Sequence, residues 1–405
     1  MPPRPPTRRR VVTPLAEFLG TEAAGGVVLL VATLAALVWA NAFPDTYVDF
    51  WHAELTIGVK EDLQHWVNDG LMTIFFFVVG LEIKRELVLG ELRDPRTAAL
   101  PALAALGGMV VPAAIYVAWN AGSDTVDGWS VPMATDIAFA IGVLALIGSR
   151  APAPLKLFLL TLAIVDDIGA ILVIAVFYTD TVEITWLYGA MVAMGAVFAL
   201  RHFRVSPVFA YLLPGTALWF CVLESGVHAT LAGVVLGLTT PAVWPHGPRP
   251  LERLEHWLHP VSSFVVVPVF ALANAGVRVD ADSVSDALGS VVTWGILCGL
   301  VVGKLAGVTV ATLVSHRIGI GRLPAGIGRR EVGGAAALAG IGFTVALFVS
   351  DLSFGDRPDV LREAKLAVLA ASVVAGVLGT AVLTFGARRA GRQAAAGRPN
   401  RPPAP

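Results

Sequence analysis

Two adjacent acids, Asp166 and Asp167, stand in the middle of the apolar run "TLAIVDDIGAILVI". A charge at the centre of a membrane span costs roughly 2.5–3.5 kcal/mol on insertion scales, so such residues face a cavity or a partner and mark a route for ions or protons. Counted from Leu157 to Phe177, the pair sits about 15 Å from either surface at the helical rise of about 1.5 Å per residue, too deep for so short a side chain to snorkel. Consecutive residues on a helix diverge by about 100°, so the two carboxylates have different surroundings. One is predicted to face a cavity and the other a neighbouring helix.

The natural partner on that neighbour is Lys304, central in "GLVVGKLAGVTV", where Gly303 and Gly307 make a small-xxx-small face that permits close helix approach. Two readings of the Asp166 and Lys304 pair stay open at this point, a static bridge that locks two helices and a link in a proton path. Asp167 is not explained by that pairing. A fourth charge, Asp136, lies in "VPMATDIAFAIGVLAL". In a continuous helix from Pro132 it sits near the outer surface; if the chain enters unwound and the helix begins near Thr135, it moves inward to the depth of Asp167. Pro132 disfavours helix at Val131, and irregular backbone at membrane depth is tolerated where it lines a cavity. A matching irregularity is expected in "GGAAALAGIGFTVALFVS", where Gly340 and Gly342 interrupt the apolar run ahead of Thr344.

The elements that position these residues are membrane spans. The chain has 405 residues, 56% hydrophobic and only 15% charged, far from a soluble domain. A net charge of −1 gives no pull toward nucleic acid, and Cys221 and Cys298 are too sparse for a disulfide framework. Residues 1–16 and 388–405, rich in Pro, Arg, Gly and Ala, read as disordered tails around a membrane domain over 17–387. The first apolar run is longer than a signal-peptide core and lacks an A-x-A cleavage site, so it is kept as a span.

A bilayer core of about 30 Å takes roughly 20 helical residues. On that measure twelve spans are predicted, near 22–42, 66–88, 97–119, 132–149, 155–177, 184–201, 207–223, 226–240, 259–277, 289–315, 332–351 and 363–387. The even-numbered connections hold most of the Lys and Arg, among them Lys84, Arg85, Arg93, Arg96, Arg150 and Lys156, whereas the odd-numbered ones are acid-rich. The positive-inside rule then puts both termini in the cytoplasm. In an outer loop, residues 53–63, "AELTIGVKEDL", alternate as a short hairpin or edge strand, read equally as an ordered loop on its own subunit or as a dimer contact by strand addition.

Spans three to five and ten to twelve form two three-helix units, each with an interrupted middle helix and in opposite orientations, the pattern of a transporter site at the midplane. Two carboxylates with Thr135 and freed carbonyls are an oxygen-only donor set, suited to a hard cation such as sodium, and the same carboxylates bind protons. A site that holds one or the other, but not both, exchanges them when it alternates between faces. The chain has no G-x-x-x-x-G-K-[ST] run, so an ATP-driven pump of that type is unsupported. Two rivals remain. An intramembrane aspartyl protease would use Asp136 and Asp167 as a dyad, but neither has a G-x-G-D context. A sodium-coupled symporter for an organic anion keeps the fold, and Lys304 beside the acids argues instead for proton exchange.

The segments "GLEIKREL", "ATDIAFAIGVLALIGSR", "LAIVDDIGAI", "SGVHATLAGV", "LEHWLHP", "FALANAGV" and "GIGFT", in this order, resemble the signature segments of the NhaA family of sodium/proton antiporters. The resemblance runs from about residue 17 to 387. It implies an all-α polytopic protein of twelve transmembrane helices with inverted repeats and two interrupted helices crossing at the midplane, in the bacterial inner membrane. It implies electrogenic export of sodium or lithium against more than one proton, with no cofactor and no enzymatic activity.

By resemblance Asp167 matches the principal cation-binding carboxylate, and Asp166 its partner, associated with Lys304. Asp136 and Thr135 match residues that offset helix-end dipoles where the interrupted helices cross, and are candidates to assist the cation. Glu82, Arg85 and Glu86, with Glu255 and His256, match a region of pH activation; from the residues alone they read as a solvated helix end with i,i+3 and i,i+4 pairs. His228 matches a histidine of the pH response, against its plain reading as a structural histidine. His256 with His259 is too little to argue for zinc. The family's dimer hairpin falls at 53–63, which implies a homodimer. Leu305 stands where the family has proline, and "EVGGAAALAG" is richer in small residues than the family pattern.

Overall fold

With no water in a bilayer core, every backbone N–H and C=O must find a partner within the protein, which leaves helices as the solution for long apolar runs. In a computed structural model of the chain, residues 9–57, 59–148, 151–179, 182–205, 207–242, 249–324 and 326–396 are described, and they are predominantly helical. Among them eight helices are long and apolar enough to cross a membrane, and a ninth span is the pair Arg329–Leu338 and Phe343–Phe354, bent by 47°. The other three predicted spans fall on shorter helices, Met72–Val88, Phe209–Glu224 and Thr230–Thr239. Large apolar side chains such as Leu146, Val176, Val192 and Leu213 stand exposed on the outside, where in a membrane lipid tails cover them. Helix also continues into the segments expected as tails, from Arg9 and as far as Ala396. At the second of these the alanines of residues 388–396 favour helix.

Close approach of helices rests on glycine. Gly307 packs so tightly against the Pro95–Trp119 helix that an added Cβ would collide with the Gly107 carbonyl oxygen, and Gly303 meets Pro112 of the same helix. The small face beside Lys304 therefore docks on Pro95–Trp119, a neighbour that hydropathy does not identify. Gly307→Ala is expected to destabilise the protein by about 1–3 kcal/mol through this overpacking, seen as a lower Tm in detergent. Gly333→Ala, where nothing lies within 4 Å of the added carbon, should leave Tm unchanged or slightly raised.

Among the described residues three stretches open into π-helix, Trp66–Leu71, Ser262–Val266 and Gly299–Gly303. Apolar periodicity gives no sign of them, because a π turn changes the register by one residue without changing composition. The third directly precedes Lys304. The span predicted from 259 begins earlier, as helix from Pro250 that runs through Pro260.

Strands Glu54–Ile57 and Val59–Asp62 pair antiparallel, Leu55 opposite Glu61 and Thr56 opposite Lys60, with residue 58 outside the described residues. Asp62 ends the hairpin and caps the helical turn Leu63–His65: it accepts from the His65 backbone N–H at 2.8 Å and lies 2.7 Å from His65 Nδ1 and 2.8 Å from His52 Nδ1. Partial burial pushes the Asp62 carboxyl up, but the hydrogen bonds from His52 and His65 outweigh it and hold Asp62 below the usual carboxylate range. For His65 burial pulls down and is outweighed by Asp62, so its imidazole is raised. The Asp62 contribution is complete above its unfolded pKa of about 3.9 and fades as pH falls through its lower folded value; that of His65 is complete below about 6.5 and fades as pH rises through its higher folded value. Amide hydrogen exchange over residues 62–66, corrected for intrinsic rate, is therefore expected to be slowest between about pH 4 and 6.5, and faster at about pH 8.5.

Candidate functional site

The helix Ala153–Phe177 carries Asp166 and Asp167 inward to a place where two broken helices meet. On one side a 3₁₀ stretch Val126–Met133 ends, residues 134–136 are extended, and helix resumes at Ile137. On the other, helix ends at Leu338 and resumes at Phe343. The break ahead of Ile137 selects the second of the two readings of Asp136, with the helix starting two residues later than Thr135. The two breaks are joined directly: the Asp136 backbone N–H donates to the Ile341 carbonyl at 2.7 Å, and Thr135 Oγ1 lies 2.9 Å from the Ala339 carbonyl oxygen.

Asp136 satisfies two helix N-termini at once. Its Oδ1 accepts from the Phe139 N–H at 2.9 Å, and its Oδ2 accepts from the Thr344 N–H at 3.0 Å and the Thr344 hydroxyl at 2.6 Å. A helix N-terminus carries roughly half a positive charge, so one carboxylate matches the two. Asp136 is 2% exposed, and a polar group so deeply buried is tolerated because these hydrogen bonds satisfy it.

Asp166 and Asp167 divide as their angular separation requires. Asp166 Oδ2 accepts from Lys304 Nζ at 2.6 Å and from Thr135 Oγ1 at 2.7 Å, with both members of the ion pair fully buried. Lys304 passes beside Gly108, where an added Cβ would collide with Val308 Cγ2 of the same helix as the lysine. Asp166 Oδ1 is buried and has no hydrogen-bond partner among the described residues. Asp167 turns to a narrow cavity of about 40 Å³, lined also by Glu82, Thr135, Asp136, His259 and Thr344. Among the described residues no donor binds its carboxylate. The site thus offers carboxylate and hydroxyl oxygen to something small and positive, with one carboxylate reserved to hold the scaffold.

The sequence profile described as Na+/H+ antiporter 1 matches residues 16–383. The chain belongs to this family. It is 46% identical to Na(+)/H(+) antiporter NhaA 3 of Frankia alni, covering 94% of this chain and 92% of that protein. It is 48% identical to Na(+)/H(+) antiporter NhaA 2 of Pseudomonas savastanoi pv. phaseolicola, over 92% of this chain and 95% of that one, and 42% identical to the NhaA 2 of Clostridium beijerinckii, over 93% and 96%. These relatives are transporters and not enzymes, and a multi-pass membrane protein is what the apolar helices of this antiporter-family chain describe.

The acidic and basic residues of "GLEIKREL" come together with the Pro250–Val261 helix. Arg85 bridges Glu255 and lies 3.4 Å from Glu86, while Glu82 Oε1 lies 3.7 Å from His259 Nε2. Glu86 Oε2 accepts from the Glu91 N–H at 3.0 Å and borders a broad surface cleft with Gly90 and Asp94. His256, the histidine expected here, is exposed, and the histidine that approaches Glu82 is His259. The reason is helical phase: Glu255 and His259 are four apart and share a buried face, and His256 is turned about 100° away. Burial of Glu255 followed by counting i+4 is the signal that points to His259. Glu82 and Glu86 are themselves buried, so this is not the solvated helix end that spacing alone suggests. His228 lies on the turn between Phe209–Glu224 and Thr230–Thr239, elements that carry none of the other candidate residues.

Proposed function

We propose that this chain is an electrogenic antiporter that exports sodium, or lithium, in exchange for protons by alternating access, with Asp167 as the carboxylate for which the two ions compete. The observation that carries the reading is the contrast between neighbours: Asp136 and Asp166 are held by donors within the protein, and Asp167 faces a small cavity with no donor bound to it among the described residues. An ionised carboxylate at that depth is costly without a partner, so it holds either a proton or a cation. A cation beside Asp166 Oδ1 draws on the same carboxylate that binds the Lys304 ammonium, so the pair is read either as a strut between helices or as a carrier of the second proton. Asp166, Asp136 and Thr135 complete the site, Thr135 through its hydroxyl and Asp136 by fixing the two helix starts. Membership of the family and the names its relatives carry support sodium and protons as the cargo.

The reading includes twelve transmembrane helices over 17–387 flanked by tails, inverted repeats whose interrupted helices cross beside Asp136, and the bacterial inner membrane with both termini cytoplasmic. The side of Glu82 and His259 is then cytoplasmic. Glu82, Arg85, Glu86, Glu255, His256 and His228 belong to pH regulation, with His259 added because it touches Glu82. The 53–63 hairpin, a two-stranded sheet, is the proposed homodimer contact by strand addition.

Both rivals meet a structural objection. A protease dyad needs a proton shared between Asp136 and Asp167, and both oxygens of Asp136 are occupied by the two caps. An organic anion needs a pocket of roughly 300 Å³ or more, far above the cavity beside Asp167. The test is reconstitution in vesicles that hold a pH gradient, adding sodium, lithium and potassium in turn while lumenal pH is followed. Proton movement on addition of sodium is expected; none at any pH from about 6.5, the ordinary histidine pKa, up to about 9 removes the proposal.

A further inference from the structure

Three helices that wall the Asp167 cavity carry the same sequence of layers away from it. Val79, Val267 and Val345 line the cavity. One turn farther stand Phe76, Phe270 and Phe348, each at most 3% exposed, with Phe348 5.5 Å from Phe76 and 6.3 Å from Phe270 by ring centroids. Beyond them again stand Asn68, Asn274 and Asp351. The steps are those of one helix face, 345, 348 and 351 on one helix and 267, 270 and 274 on another, while the third runs antiparallel from Asn68 through Phe76.

The outermost layer is a directional hydrogen-bond chain. Gln64 Nε2 donates to Asn274 Oδ1 at 3.0 Å, Asn274 Nδ2 to Asn68 Oδ1 at 2.7 Å, and Asn68 Nδ2 to Asp351 Oδ2 at 2.7 Å. Lys365 Nζ lies 4.0 Å from the other Asp351 oxygen. Asn68 sits in the π-helical stretch Trp66–Leu71, and of the other two such stretches one lines the cavity through Ser262 and Ser263 and one leads into Lys304. Such segments concentrate at functional sites. Every bond in the chain joins two different elements, so helices that part must break it. Water can then satisfy each amide, which makes the layer reversible, while an aromatic layer keeps water out when closed.

We propose that these two layers are the outer gate, in which Phe76, Phe270 and Phe348 seal the Asp167 cavity and the Gln64, Asn274, Asn68 and Asp351 chain, backed by Lys365, latches the helices that bear them. The gate rests on the antiport reading for its outward direction and its cargo. It is tested in the full-length chain carrying Cys221→Ala, Cys298→Ala and Val345→Cys, by the rate at which a membrane-impermeant maleimide labels residue 345 from each side of reconstituted vesicles. Asp351→Ala and Phe348→Ala are each expected to raise outer-side labelling about tenfold, as lifting an open state from about 1% to 10% would do. Asp351→Asn, which keeps an acceptor for Asn68, should label at the parent rate. Phe76→Leu stands in if Phe348→Ala does not fold. Unchanged outer labelling in the alanine variants, or an equal rise from both sides, overturns the gate. Sodium-driven proton flux, measured in vesicles without the introduced cysteine, separates the two proposals: labelling as expected with no flux in the parent leaves the gate and removes the antiport reading.

Discussion

Asp167→Asn reduces sodium-driven proton exchange to the level of protein-free vesicles while the chain still folds. Asparagine has nearly the shape of aspartate but neither titrates nor carries charge, so it removes both halves of the competition at once. Among the described residues no donor binds the native carboxylate, and a buried ion without a partner opposes folding. The variant is accordingly expected to show an unchanged or raised Tm, which separates loss of transport from loss of structure. Sodium should no longer protect it against thermal unfolding, although sodium stabilises the parent as any ligand of the native state does. Retained sodium protection in the variant moves the cation site away from Asp167.

Lys304→Ala is expected to lower stability by about 3–5 kcal/mol, because it strands the Asp166 carboxylate, fully buried and already one hydrogen bond short, without its counter-charge. Removing both charges, as Asp166→Asn with Lys304→Met, should recover most of that loss, since a buried ion pair and a well-packed neutral pair often differ little. Thermal unfolding in detergent measures both. The same variants decide between the two readings of the pair. Should Lys304→Ala lower Tm yet leave exchange electrogenic, the bridge is a strut; a change to electroneutral exchange makes the ammonium a carrier of the second proton.

The different fates of Asp166 and Asp167 result from adjacency on a helix, and the structure separates them as that geometry demands. Lys304 is legible as the partner because a buried cation has few alternatives. The interruption at Asp136 is legible through Pro132, and the second through Gly340 and Gly342, since proline and glycine act on the backbone locally. That one carboxylate serves both helix starts enters only through the resemblance and not from the residues themselves, because the two segments lie about 200 residues apart and nothing local reports their meeting.

His256 is named through the resemblance, and His259 beside Glu82 is missed because spacing in a helix identifies a face only once one buried member of it is known. The π-helical stretches escape for a related reason, as they alter register without altering hydropathy. The aromatic and amide layers of the gate are invisible as well. Phe76, Phe270, Phe348, Asn68, Asn274 and Asp351 each look ordinary in a span, and only their stacking on three helices gives them a common role.

The central claim is that sodium and a proton occupy the Asp167 carboxylate in turn, and proton release on sodium binding tests it most directly. Purified protein in weakly buffered detergent solution is mixed with sodium, and the protons liberated per sodium bound are counted across the pH range of activity. The expected result is release that falls to zero at high pH, where the carboxylate is already ionised, and no sodium-linked release at any pH in Asp167→Asn. Sodium binding that liberates no proton at any pH, or release that persists unchanged in Asp167→Asn, contradicts it.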